Sequence, residues 1–314
     1  MLSSCGEQLQ YIKHHDTADS HNVLHIFDFF YHKEHLFIVC ELLRDNLYEF
    51  SRYNREAGCE PYFTLPRLRR IAKQCLDALR FVHNLDLIHC DLKPENILIR
   101  SYSRCEIKVI DFGSSCFTND HLSSYVQSRS YRAPGAAGPA SPHPPAQLTP
   151  HLAARQRFTP HLSRRALSPT LLVCLAEVIL GLPYDQKIDL WSLGAILAEL
   201  LTGYVLFQND SVPSMLSRIV GILGPFPDGM LQRGRHAHKY FLPNGAVYER
   251  DAANRPCLLE PKMSPLRHRL HTDDELFISF VGSLLRIDPD DRPTAEQALQ
   301  HPFITSDAYG EVLA

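Results

Sequence analysis

Residues 89–99 read HCDLKPENILI, and residues 107–113, one short hairpin later, read IKVIDFG. Aliphatic and β-branched residues at 97–99 and 107–110 predict two short strands, and LIH at 87–89 predicts another just upstream. Polar residues gather where these strands begin and end: Asp91, Lys93 and Asn96 precede the first of the pair, and Asp111 follows the second. The spacing therefore predicts a carboxylate, an ammonium, an amide and a second carboxylate carried on neighbouring hairpin ends.

Those four groups are the parts that phosphoryl transfer from a nucleoside triphosphate requires. A carboxylate orients the attacking hydroxyl and accepts its proton, a cation sits near the transferring phosphate, and oxygen donors hold magnesium. Asp91 is the candidate base, Lys93 the candidate cation, and Asn96 with Asp111 the candidate metal pair. Magnesium keeps part of its water shell, so one amide and one carboxylate beside phosphate oxygens form a sufficient protein share. The plain alternative is a hydrogen-bonded turn without chemistry. Seven fixed residues at ~1 in 20 each arise by accident at roughly 10⁻⁹ per start position, which excludes chance.

Outward from this stretch, residues 46–53 predict a short helix and 65–83 a longer one. In the longer helix Leu68, Ile71, Ala72, Cys75, Leu79 and Val82 form one apolar stripe. Residues 22–31, NVLHIFDFFY, and 36–43, LFIVCELL, predict two antiparallel strands about the polar turn YHKEH, hence a small sheet. The text DLWSLGAILAELLTG at 189–203 is apolar nearly all round and predicts a helix buried on every side. Residues 135–176 differ: seven prolines, four arginines and no acidic residue, without periodicity until LLVCLA, predict a disordered or loop-like insertion.

The chain's 314 residues suffice for two domains or one two-lobed unit. With 45% hydrophobic and 21% charged residues it belongs with ordinary globular chains, and collagen-like, coiled-coil and wholly disordered classes are excluded. A formal charge of −3 gives no reason to expect a nucleic-acid or membrane-surface partner. No stretch approaches the ~18 apolar residues of a membrane span. Nine cysteines, an odd number without a C-x-x-C pair or a leader sequence, predict reduced thiols in a cytoplasmic or nuclear protein. Taken alone, Cys40 reads as a packed core thiol, and Arg67, Arg69 and Arg70 as the wet face of a helix. His14, His15, His32, His35 and His301 show no metal-ligand spacing.

The run at 89–99 with Asp111-Phe112-Gly113 resembles the catalytic loop and magnesium motif of eukaryotic protein kinases. Cys90 stands where those enzymes usually carry arginine. Together with IDFGSSC (110–116), YVQSRSYRAP (125–134) and ILAELLTG (196–203), it is similar to the dual-specificity tyrosine-regulated kinases and their homeodomain-interacting relatives, from about residue 7 to 303. The resemblance implies an α+β protein-kinase-like fold, mostly the helical C-lobe with a remnant of the N-lobe sheet. It implies ATP and Mg²⁺ as cofactors, and protein substrates phosphorylated on serine and threonine, often near proline. Residues 1–43 would be a partial N-lobe with the end of its helix, two strands and the hinge. Residues 44–134 would carry the catalytic and activation loops, 135–176 the insertion, and 177–314 the rest of the C-lobe with an additional docking insert near 224–272.

Site residues follow from the same resemblance. Cys40 would guard the back of the adenine pocket, Glu41 and Leu43 would present the hinge backbone, Asn46 would lie just beyond it, and Leu98 and Ile110 would floor the ring. Tyr125 matches the tyrosine that this family phosphorylates on itself, with Arg129 and Arg132 placed to hold the phosphate. Asp189 matches the aspartate anchoring the catalytic-loop backbone, and Glu177 with Arg292 the ion pair that closes the C-lobe.

Two departures predict impaired activity. Gly6 is the only glycine before residue 58, so no G-x-G-x-x-G phosphate cover is present; neither Lys13 nor Lys33 lies in a V-A-I-K context, and Cys5 falls where the helix glutamate is expected. The chain is accordingly expected to begin inside that helix. The 135–176 segment separates YRAP (131–134) from EVIL (177–180), splitting A-P-E in half, as a translated intron or gene-model error would. The expected function is an impaired serine/threonine kinase with tyrosine self-phosphorylation. The alternatives are a non-catalytic interaction module of the same fold and a fragment without a role.

Overall fold

In the computed structural model, which describes residues 2–33, 35–58, 60–119, 176–208 and 211–309, helix α1 (Leu2–His15) leads into an antiparallel hairpin of β1 (Ile26–His32) and β2 (His35–Cys40). Pairing extends to His32 and His35, so the turn is shorter than the polar run suggests, and Lys33 takes φ 47 within it. Most hairpin residues are exposed on both faces, with Phe30 and Phe37 stacked at 5.2 Å. This corrects the reading of Cys40: at the end of β2 the thiol is exposed rather than packed in the core.

Asn46 caps α2 (Leu47–Glu56), its side chain accepting from the Glu49 amide at 2.8 Å. Helix α3 (Leu65–Asn84) opens with Pro66, whose fixed φ suits a first turn. Its apolar stripe is buried as the spacing predicts. Strands β3 (Leu87–Ile88), β4 (Ile97–Ser101), β5 (Glu106–Val109) and β6 (Cys116–Phe117) pair as two antiparallel ladders, β3 with β6 and β4 with β5. The helical part continues through α4 (Ala176–Leu180), α5 (Lys187–Thr202), α6 (Val212–Leu223) and α7 (Asp228–Arg233), then the hairpin β7 (Tyr248–Arg250) and β8 (Pro256–Leu258). It ends with α8 (Leu266–Leu270), α9 (Glu275–Leu284), α10 (Ala295–Leu299) and α11 (Pro302–Thr305).

Every residue of α5 from Ile188 to Ala198 is buried, as an all-round apolar helix must be. One continuous core joins Ile12, Val23 and Ile26 to Trp191, Phe277 and Phe303, so α1 and the base of the first hairpin share an interior with the helices. Each such large side chain contributes ~1.5–3 kcal/mol on burial. The 224–272 stretch carries α7, β7, β8 and α8 and packs on α6. Its Ser264 amide donates to the Gly221 carbonyl at 2.8 Å, and a Cβ at Gly221 would run into the Lys262 carbonyl oxygen.

The arginine run on α3 also differs from its reading. Arg67 lies over the Tyr62 ring at 4.2 Å and donates to the Tyr62 carbonyl, while Arg69 Nε donates to the Ile304 carbonyl at 3.1 Å. Half-buried and bonded, these two fasten loops to the helix. No helix among the described residues is long and apolar enough to cross a membrane. The fold is α+β, with small antiparallel ladders set against a helical body.

Candidate active site

The site is built from beneath. Asp189 opens α5 in the interior, 1% exposed, and its carboxylate takes the His89 amide at 2.9 Å, the Cys90 amide at 3.1 Å and His83 Nε2 at 3.0 Å. Three donors satisfy a buried carboxylate that would otherwise be costly. They also hold Cys90 at φ 66, a left-handed conformation that costs a non-glycine residue ~1–3 kcal/mol.

His89 links the two motif-bearing loops. Its Nδ1 accepts from the Asp91 amide at 3.2 Å and its Nε2 faces the Ile110 carbonyl at 3.0 Å; these partners assign the ring hydrogen to Nε2. Phe112 is buried with its ring edge-on to His89 at 4.9 Å. The Ile110 amide donates to the Asn96 carbonyl at 2.9 Å where the β4–β5 ladder begins, so the strand end carrying Asp111 lies beside the turn carrying Asn96.

Asp91 and Lys93 meet directly: Nζ donates to the carboxylate at 2.8 Å. Burial works against the Lys93 ammonium, but the hydrogen bond and charge of Asp91, with Glu95 and Asp111 nearby, hold its pKa above the ordinary lysine value. Asn96 donates its amide to the Asp91 carbonyl at 2.8 Å, which leaves Oδ1 without a bond to another described residue. Asp111 sits at φ 63 with an exposed carboxylate that accepts only from the Gly113 amide at 3.3 Å. An amide oxygen and a carboxylate, carried on neighbouring backbone segments and largely uncommitted among the described residues, fit the hard-donor preference of magnesium.

The hinge is tied from both sides. The Glu41 amide donates to His25 O at 3.1 Å, the His25 amide returns to the Glu41 carboxylate at 3.0 Å, and the Arg44 amide donates to Ile99 O at 2.8 Å. Leu43 lies between these tethers, and its amide and carbonyl make no bond to another described residue. Asn46 bridges Leu98, but its side-chain oxygen is taken by the α2 cap. Leu98 and Ile110 are half-buried and Cys40 is exposed.

Away from the cleft, Glu177 and Arg292 form an ion pair at 2.8 Å with both side chains fully buried. Tyr125, Arg129 and Arg132 lie outside the described residues, as do the residues up to 175 of the 135–176 segment.

Sequence reasoning missed two supports. Gln8 of α1 is buried; its amide nitrogen donates to Ser115 O at 2.8 Å and its oxygen accepts from Ser115 Oγ at 3.1 Å, and Ser115 Oγ also approaches Phe112 O at 2.6 Å. Lys108, only 2% exposed, donates to Asp19 and to Val23 O at 3.0 Å and pairs with Glu41 at 3.6 Å, reaching the hinge from β5. The lysine's place inside the aliphatic run IKVI was the one available signal, since a strand residue between apolar neighbours is readily enclosed.

Glu199 of α5 gives a pH prediction. Burial, then the charge of Glu95, outweigh Arg55 and push its carboxyl up from 4.5 to about 7. The neutral carboxyl favours the fold fully below the unfolded value, and this contribution is lost as pH rises through about 7. Glu199→Gln is therefore expected to stabilise the protein at pH 8 by up to about 3 kcal/mol, with most of the difference gone at pH 5. Urea unfolding at the two pH values measures it; an equal effect at both would refute the assignment.

The sequence pattern of the protein kinase domain matches residues 4–143 and 170–304. The chain is 33% identical over 296 residues to the probable serine/threonine-protein kinase dyrk2 of Dictyostelium discoideum, covering 94% of this chain and 27% of that protein. It is 34% identical over 307 residues to dual specificity tyrosine-phosphorylation-regulated kinase 2 of Drosophila melanogaster, covering 96% of this chain and 35% of that one. Against human dual specificity tyrosine-phosphorylation-regulated kinase 4 the identity is 34% over 296 residues, 94% of this chain and 48% of the relative. The chain thus spans between about a quarter and a half of the length of these relatives. Because the domain pattern extends over most of its length, the chain belongs to the protein kinase family, where it is similar to the dual-specificity tyrosine-phosphorylation-regulated kinases.

Proposed function

We propose that this chain carries the catalytic loop of a protein serine/threonine kinase that transfers the γ-phosphoryl group of ATP to protein hydroxyls. The observation that carries the reading is the Asp91–Lys93 pair at 2.8 Å beside the uncommitted oxygens of Asn96 and Asp111. Asp91 accepts the proton of the substrate hydroxyl as it attacks, and Lys93 supplies positive charge where the transferred phosphate gains negative charge. Asn96 and Asp111 would hold magnesium, which when bound offsets the charge of the phosphate oxygens. The Leu43 backbone offers the donor and acceptor that an adenine edge needs.

We further propose that Tyr125 is a self-phosphorylation site served by Arg129 and Arg132, that substrates carry proline near the acceptor, and that the protein works in the cytoplasm or nucleus. The sequence SYVQSRSYR supports the first of these readings, and nine cysteines without a C-x-x-C pair support the last. The polypeptide of 314 residues is proposed to be impaired, because residues 135–176 separate YRAP (131–134) from EVIL (177–180) in its sequence. Misplacing a substrate-positioning element costs about 10² in rate.

A single assay tests this: transfer of labelled phosphate from γ-³²P-ATP to a serine/threonine peptide and to the chain itself, with mass spectrometry at Tyr125. Transfer at least about 10² slower than by an uninterrupted kinase, and abolished by Asp91→Ala, is the expected result. Transfer that survives Asp91→Ala would overturn the assignment of the base.

A further inference from the structure

A groove of about 860 Å³ lies away from the catalytic loop, between α3 and the β4–β5 hairpin. Its size is that of a recognition site. Its walls carry Arg69, Arg70 and Lys73 on the helix side and Arg100, Arg104 and Lys108 on the hairpin side, against the acids Glu106 and Asp307. This concentration of cations is at odds with a chain whose formal charge is −3.

Not all of these cations are free. Lys108 is held by Asp19 and Glu41, Arg100 reaches Asp19 at 3.6 Å and Glu41 at 4.0 Å, and Arg104 pairs with Glu106 at 3.0 Å. Arg69 spends one N–H on Ile304 O. The side chains of Arg70 and Lys73 make no ion pair or hydrogen bond with another described residue, the Gln74 amide reaching only the Arg70 carbonyl. They lie three apart on α3, on neighbouring turns of one face. The floor between the walls is fixed by Gln74, whose amide donates to Cys105 O at 2.8 Å and accepts from the Ile107 amide at 3.0 Å, clamping the hairpin to the helix. A rigid floor with unpaired cations along one wall is preorganised for a charged ligand.

We propose that this groove docks an extended aspartate- and glutamate-rich segment of a partner protein. Arginine forks bind carboxylates with two parallel hydrogen bonds, and clusters of them recognise acidic motifs. The cations are distributed along two walls instead of converging on one point, which suits a run of single charges better than one phosphate dianion. No Phe, Tyr, Trp or His lines the groove, so the stacking platforms that hold single-stranded nucleic acid are missing. The 135–176 sequence carries four arginines and no acid, so it lacks the chemistry of this occupant. The inference does not depend on phosphoryl transfer by the site described above.

The test is fluorescence anisotropy with the full chain and a fluorescein-labelled peptide of eight glutamates, with eight-glutamine and eight-thymidylate probes beside it. Saturable binding of the glutamate peptide that weakens with added salt, at least about tenfold weaker in Arg70→Glu/Lys73→Glu, is expected. Lys239→Glu/Arg250→Glu, on exposed positions elsewhere, should bind like the wild type. If the charge reversal lowers the unfolding midpoint, Arg70→Gln/Lys73→Gln replaces it and should still weaken binding severalfold. Binding unchanged by either pair, no binding of the glutamate peptide, or equal affinity for the thymidylate probe would each overturn an acidic-peptide site.

Discussion

Arg292→Met is expected to cost the fold about 3–5 kcal/mol, because it strands a buried carboxylate. Arg292 donates to Glu177 at 2.8 Å, to Lys187 O at 2.9 Å and twice to Arg286 O, at 3.0 and 3.2 Å, while its guanidinium lies over the Trp191 ring at 5.1 Å. Glu177 Oε2 already has no partner, so no second donor stands ready when the arginine goes. Methionine fills much of the volume and restores none of the donors. Removing both charges, as Glu177→Leu/Arg292→Met, is expected to recover a large part of the loss, since neither ion then remains to be desolvated. Urea unfolding of the two variants decides the point: a single-variant loss under about 1 kcal/mol would mean that the pair is solvated in practice.

Asp189→Asn is the second large effect. Three donors converge on this carboxylate, and an asparagine offers one acceptor oxygen together with an NH₂ that must face a donor. At least one buried N–H of His89 or Cys90 is left unsatisfied, at a cost of about 2–4 kcal/mol including the lost charge assistance. With its anchor weakened, Cys90 is expected to leave φ 66, and Asp91 moves with it. Hydrogen exchange at the His89 and Cys90 amides should accelerate well before global unfolding. Asp185→Asn, which alters only an exposed turn, should change stability by less than about 0.5 kcal/mol. Equal behaviour of the two variants would remove Asp189 from its anchoring role.

The readable parts of this molecule were those encoded locally. The strands at 97–99 and 107–110 announce themselves by aliphatic and β-branched residues, and the buried α5 by an apolar sequence without a polar face. The catalytic-loop groups are legible because four chemistry-bearing residues crowd two short stretches. What stayed hidden is bonding over long separations. Gln8 looks like any helical glutamine until Ser115, 107 residues away, arrives to meet it. Lys108 finds its acids 89 and 67 residues upstream, and Arg69 finds a carbonyl 235 residues downstream. Charged side chains read as solvated because a linear sequence holds no record of which distant backbone will need a donor. Cys40 failed for the opposite reason: a thiol in an apolar run looks enclosed, yet its strand is covered by little among the described residues.

The bonds between Gln8 and Ser115 are neutral throughout: an amide, a hydroxyl and a backbone carbonyl. Added salt therefore leaves this latch untouched, in contrast to the ion-paired hinge at Glu41. Helix α1 is thus joined to the loop that follows Asp111 by contacts whose strength is set by shape and polarity alone.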